Sequence, residues 1–177
     1  MKHQIGLALA LGRLKRRGRL PASARFLLAG RVSQGWNTRL FQHLVRRDGL
    51  EPHVRYLGPV TAIEEIYSAA DWILLPSLWE GLPNAALEGH ACERPLLLSH
   101  AANLDGIMAD GQTGFEFSTG WIEPMAAAVE RALATPAEVA REMGRAGRQR
   151  VLERFSNQKV IGDIVALYDE FLPLRRG

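Results

Sequence analysis

Apolar and polar positions change period several times along the chain, and each change predicts an element. From Gln4 to Arg17, leucines alternate with alanines at Leu7, Leu9 and Leu11, a pattern open to either strand or helix. The spacing of Leu7, Leu11 and Leu14, with high helix propensity throughout, favours a helix. An apolar run from Ala24 to Ala29 reads as a strand entering Gly30. A helix is expected over about residues 37–47, and a strand from Val54 to Leu57 ends at Gly58-Pro59. Thr61 and Glu64 have the spacing of a capping box for a short helix ending near Ala70. Trp72 to Leu75 is a buried strand closed by Pro76-Ser77. The turn Gly81-Leu82-Pro83-Asn84 then opens another helix. Leu96 to Leu98 is the next strand, and Gly114 to Phe117 follows an Asp110-Gly111 turn.

The last third reads as helical. One helix covers Ile122 to Ala134. A charged one runs from Ala137 to Arg154, with Val139, Met143 and Val151 on a shared face. Ser156 can cap a final helix, with Phe155 and Val160 placed as a hydrophobic staple. Its apolar positions Val160, Ile161, Ile164, Val165, Leu167, Tyr168, Phe171 and Leu172 keep helical spacing. Strands alternating with helices predict an α/β, Rossmann-like fold: one parallel sheet covered on both faces. Without a repeat or linker, residues 1–177 are expected to form a single domain, with C-terminal helices over about 137–172.

Composition narrows the function classes. The chain has 177 residues, enough for one domain with a core, and no apolar run approaches the ~20 residues of a membrane span. A net charge of +3 suits anionic ligands without demanding nucleic acid, which is not expected as a partner. Cys92 is the single cysteine, so no internal disulfide can form and a reducing compartment is expected. The apolar start could pass for a secretion signal, but Arg13, Lys15, Arg16, Arg17 and Arg19 interrupt it before the small residues at Ala22-Ser23-Ala24. A cytoplasmic protein is the expectation. The same basic run is a candidate for peripheral contact with anionic lipid at the inner face of a membrane.

The chemistry concentrates around Glu80 and Glu88, separated by seven residues across a turn and a helix start. Unpaired N–H groups at a helix N-terminus suit a diphosphate, and carboxylates accept hydrogen bonds from polyol hydroxyls. Acid, helix tip and acid in sequence order match sugar, diphosphate and ribose, which is a nucleotide-sugar. His90, Cys92 and His100 lack the spacing of a zinc site, and no metal or cofactor is expected. There is no Walker A loop, no G-x-S-x-G elbow and no G-x-G-x-x-G after a strand.

Ala70-Asp71, Pro76-Ser77, Glu80-Gly81 and Leu87-Glu88 resemble the E-x7-E signature of retaining GT-B glycosyltransferases of the group 1 (GT4) type, a likeness running from about Lys2 to Phe171. The resemblance implies that Glu80 is the catalytic-site acid facing the donor-sugar hydroxyls and that Glu88 faces the ribose diol. It places the base near Leu57-Gly58 and the donor against Gly81, Leu82, Pro83, Asn84 and Leu87. It makes Lys2 the diphosphate-neutralising lysine. It also implies transfer with retention to a glycan or lipid-linked acceptor, in the synthesis of cell-envelope polysaccharide or glycoconjugates. By this likeness the chain is the donor-binding C-terminal half, without the first strand or the N-terminal acceptor domain, and is expected to be inactive alone. The alternatives are a GT-B sugar-nucleotide epimerase or hydrolase, or a non-catalytic fragment binding nucleotide or protein. Two departures stand out. Glu93 replaces the family's glycine, so α-helix termination there is expected to differ. Ser99 to Asp105 replaces a glycine-rich loop ending in Glu.

Overall fold

The computed structural model describes residues 3–31 and 35–171. The elements run in chain order as α1 (Gln4–Arg16), β1 (Phe26–Ala29), α2 (Trp36–Arg47), β2 (Val54–Gly58), α3 (Ile63–Ala69), β3 (Ile73–Leu75) and α4 (Asn84–Ala91). Then come β4 (Leu96–Ser99), a 3-10 turn (His100–Ala102), β5 (Gly114–Phe117), α5 (Ile122–Ala134), α6 (Ala137–Phe155) and α7 (Asn157–Phe171). Strand-helix alternation is as expected. Two details differ. The Thr61–Glu64 capping box does not form, because α3 starts one residue later with Ala62 as N-cap and no side-chain cap. At the other end Ser156 does cap α7: its hydroxyl accepts from the Lys159 N–H at 3.3 Å.

The sheet departs from the expectation of one continuous layer. β1 pairs with β2, and β3, β4 and β5 form a second sheet; every pairing is parallel. In the 3-2-1-4-5-6 order of a doubly wound fold, β2 and β1 take places three and two, and β3 to β5 take four to six. The first place, between β1 and β3, holds no strand among the described residues.

Helices cover both faces of the three-stranded sheet, which is why β4 is buried along its whole length. Successive strand residues point to opposite faces. Leu97 and Phe115 accordingly join Leu7, Leu11 and Leu14 of α1 and Met125 and Val129 of α5 in one cluster. Leu96 and Leu98 join Tyr67, Ile73, Leu75, Ala86, Ile107 and Met108 in the other. Phe26 and Val54 pack against the first cluster, so α1 ties the two sheets together. The far face of β1 is open, with Leu27 48% exposed, so two-sided cover holds for the larger sheet only.

Helix α6 buries Ala140, Met143, Gly144 and Gly147 rather than the Val139-Met143-Val151 stripe. Helix α7 has the expected apolar spacing but no buried residue.

Candidate donor site

Parallel strands bring the loops that follow them to one edge. Gly30 N–H donates to the Gly58 carbonyl at 2.8 Å, joining the ends of β1 and β2. Gly58 sits at φ 75°, a conformation glycine adopts without a Cβ penalty. The Ser99 hydroxyl, at the end of β4, donates to the Ser77 carbonyl after β3 at 2.5 Å. The start of α1 bridges the two pairs. His3 N–H donates to the Pro76 carbonyl at 3.2 Å, and Gln4 lines a cleft at the ends of β1 and β2. That cleft, about 140 Å³, is completed by Leu28, Arg31, Thr38, Phe41, Gln42 and Tyr56. Sequence reasoning singled out none of these side chains, because four elements contribute them. Lys2 lies outside the described residues.

Pro83 is the N-cap of α4 and gives the first turn no side-chain hydrogen bond. Asn84, at the tip, is exposed, as are Gly81 and Leu82, while Pro83 is buried. The Ala86 N–H turns back to the Pro83 carbonyl at 2.9 Å, so the tip N–H groups left to solvent or to an anion are those of Asn84 and Ala85. Leu87 is half-buried against the second apolar cluster, so its side chain supports the helix from below.

Glu80 and Glu88 flank this tip in sequence, and neither is in an ion pair among the described residues. The half-buried Glu80 accepts from the fully buried Ser77 hydroxyl at 2.6 Å. Glu88, on the exposed side of α4, accepts from the Tyr67 hydroxyl at 2.9 Å. Burial first, and then the neighbouring Glu88 carboxylate, push the Tyr67 phenol well above its ordinary value, so it remains a donor. Sequence reasoning missed both hydroxyls. Ser77 could have been found by its spacing of three from Glu80; Tyr67 could not, since it sits on α3.

The far end of α4 is firmly closed. Glu93 N–H donates to the His90 carbonyl and Arg94 N–H to Gly89, both at 2.9 Å. This is a Schellman ending. Glu93 takes the left-handed position itself, at φ 58°. The helix thus ends as it would with glycine, contrary to the expectation of a different termination. His90 is buried with Nδ1 3.0 Å from the Arg94 carbonyl. Burial pushes it down to about 4, the Arg94 carbonyl opposing and Arg150 adding to the shift. Among the described residues no three His, Cys, Asp or Glu side chains gather as a metal site.

The loop that departs from the family pattern is held by its His100 and Asn103 side chains against Glu116 of β5 and the Met108 backbone. Glu116 accepts from Asn103 at 2.6 Å and lies 2.7 Å from His100 Nδ1. Asn103 in turn accepts from Met108 N–H at 2.9 Å. The cations of the basic run of α1 and the turn after it are engaged by the protein itself, although the five have only three carboxylates between them. Arg13 and Arg17 pair with Glu123, Arg19 with Glu130 and Arg16 with Asp48, while Lys15 reaches the Gly49 carbonyl. No helix among the described residues is long and apolar enough to cross a membrane.

Comparison with known proteins identifies the family and the fold. Residues 2–135 match the family model of group 1 glycosyl transferases. The EpsD protein of Bacillus subtilis (strain 168), named as a glycosyltransferase, is 30% identical over 152 residues, covering 86% of this chain and 39% of that protein. Sucrose-phosphate synthase of Thermosynechococcus elongatus superposes with a TM-score of 0.80 at 26% identity, over 96% of this chain and 42% of the other. Anabaena HepE, solved with UDP-glucose, shares the fold at TM-score 0.77 and 20% identity, over 93% and 45%. The chain spans less than half the length of each of these proteins. Two acids around an open helix tip, on the strand-end edge of a GT-B-type α/β fold, agree with the sequence match: the chain belongs to the group 1 glycosyltransferases.

Proposed function

We propose that this chain is the donor-binding half of a retaining, GT4-type glycosyltransferase that moves a sugar from a nucleotide-diphosphate-sugar to a glycan or lipid-linked acceptor. One observation carries the reading: two carboxylates without cationic partners among the described residues flank the uncapped tip of α4 in sequence, each held by a buried hydroxyl. The diphosphate belongs on the tip, where N–H groups and the helix dipole favour negative charge. Glu80 accepts from the sugar hydroxyls and Glu88 from the ribose diol, with the base toward Gly58 and the cleft beside it. During transfer the tip N–H groups and the cation at Lys2 would stabilise the departing diphosphate, an electrostatic contribution that needs no proton donor. Glu80 orients the sugar and is not assigned as a nucleophile. The acceptor site belongs to a further domain or subunit, and the reading places the work on the cytoplasmic side of a membrane.

UDP-glucose, the ligand of the HepE neighbour, is the first donor to try, followed by GDP- and ADP-sugars. A hydrogen bond to a charged acceptor contributes ~1.5–3 kcal/mol, or roughly 10- to 100-fold in affinity. Calorimetry should show that loss for Glu88→Ala and, for the intact sugar donor, for Glu80→Ala. Glu153→Ala, on the exposed side of α6, should bind as the parent does. Equal affinity in all three variants would remove the basis of the assignment.

A further inference from the structure

Glu80 and Glu88 share a feature that their separate positions do not require. Each has one carboxylate oxygen bound to the hydroxyl of a well-buried residue, and each keeps its second oxygen without a partner among the described residues. Ser77 Oγ donates to Oε1 of Glu80 at 2.6 Å, leaving Oε2. Tyr67 donates to Oε2 of Glu88 at 2.9 Å, leaving Oε1. Ser77 is 0% exposed and Tyr67 8%. The Ser77 backbone is itself fixed from the next strand, because the Ser99 hydroxyl, also 0% exposed, donates to its carbonyl at 2.5 Å.

We infer that Ser77, braced by Ser99, and Tyr67 are positioning residues that hold the two donor-site acids by one oxygen and present the other to ligand. The inference rests on the proposed donor reading for the roles of Glu80 and Glu88. A glutamate side chain has three rotatable bonds, and ordering them on binding costs affinity. A carboxylate already fixed by a charge-assisted O–H···O⁻ bond has little left to order. The two tethers also differ in what they can affect. Ser77 acts through the acid assigned to the sugar, and Tyr67 acts through the acid assigned to the ribose.

Calorimetry with UDP-glucose, UDP and pyrophosphate on the parent, Ser77→Ala, Ser99→Ala and Tyr67→Phe tests this, with GDP- or ADP-glucose substituted if either binds more tightly. Ser77→Ala should weaken the nucleotide-sugar roughly three- to tenfold and UDP hardly at all. Ser99→Ala should do the same to a smaller extent. Tyr67→Phe should weaken the nucleotide-sugar and UDP alike and leave pyrophosphate unchanged. In the Glu80→Ala background, Ser77→Ala should have no further effect; full additivity would mean that Ser77 acts elsewhere. Ligand-free crystal structures give a readout independent of any donor, with Glu80 expected to spread over several rotamers in Ser77→Ala and Glu88 in Tyr67→Phe. Unchanged rotamers would overturn the inference. If instead Glu80→Ala and Glu88→Ala bind every donor like the parent, the donor reading fails, and the rotamers still decide whether the tethers exist.

Discussion

Replacing Glu93 with glycine should stabilise the protein, although it deletes a charged side chain at an ion pair. Glu93 occupies φ 58°, where a Cβ crowds the backbone at a cost of ~1–2 kcal/mol. Glycine recovers that strain but loses ~0.4–1 kcal/mol through its freer unfolded chain. The Glu93–Arg148 contact spans 3.9 Å between half-exposed side chains, so its loss costs only a few tenths of the ~0.2–1 kcal/mol range for surface pairs. The balance for Glu93→Gly is a gain of about 0.5 kcal/mol, or ~1–2 °C in Tm at this chain length. Glu93→Ala is the sharper reference, since it loses the same ion pair and keeps the strain. Glycine should therefore exceed alanine by about 1 kcal/mol. Urea unfolding of the three proteins, with unchanged m-values, measures both differences. If Glu93→Gly proves no more stable than Glu93→Ala, the left-handed ending of α4 is not the source of strain that its dihedral implies.

Two further perturbations probe the packing beneath the site. Gly144→Ala should destabilise by ~1–3 kcal/mol or prevent folding, because a Cβ there would overlap the Glu93 carbonyl; thermal melting of near-parental stability would contradict the close α4–α6 contact. His90 should make stability fall in mild acid. Its folded pKa of about 4 lies below the unfolded value of 6.5, so between those pH values the unfolded chain binds a proton that the native one refuses. Between pH 7 and 5 this amounts to about 2 kcal/mol, and His90→Asn, which keeps a donor toward Arg94, should lose that much less over the same range in chemical denaturation. Equal losses in the two proteins would show that His90 is not held neutral.

Long periodic segments were legible from sequence because propensity and burial agree in them. α5 and β5 match their expected bounds of Ile122–Ala134 and Gly114–Phe117 residue for residue. The α6 stripe was not legible. Of the expected positions only Met143 is on the buried face, and the rest of that face is Ala140, Gly144 and Gly147, which hydrophobic periodicity does not weigh. Close approach selects small residues there: a Cβ at Gly147 would overlap the His90 ring. The split sheet was equally hidden, since pairing depends on which strand lies beside which and apolar runs do not encode neighbours. At the site, Glu80, Glu88 and the turn between them could be read from order along the chain. The Tyr67 hydroxyl that holds Glu88, and the cleft formed by Gln4, Arg31, Thr38 and Tyr56, arise only when distant segments meet.

Helix α4 treats its two ends in opposite ways, and the contrast bears on function. Its C-terminal end is closed by the Schellman bonds, by Arg94 reaching the Ala70 carbonyl at 3.3 Å, by Arg148 reaching the Ala91 carbonyl, and by glycines of α6 pressed against Glu93 and His90. Its N-terminal end has no side-chain cap and faces outward. A good cap is worth ~1 kcal/mol, so an uncapped tip in an otherwise well-fastened helix is a local cost. Fastening one end lets the other remain unsatisfied without fraying, because the helix axis is fixed by contacts a full turn or more away. A strained Glu93 is tolerable in the same way, surrounded by bonds that over-determine it. The rigid end supplies the stability, and the open end, between two tethered acids, keeps the polarity that an anion would complete.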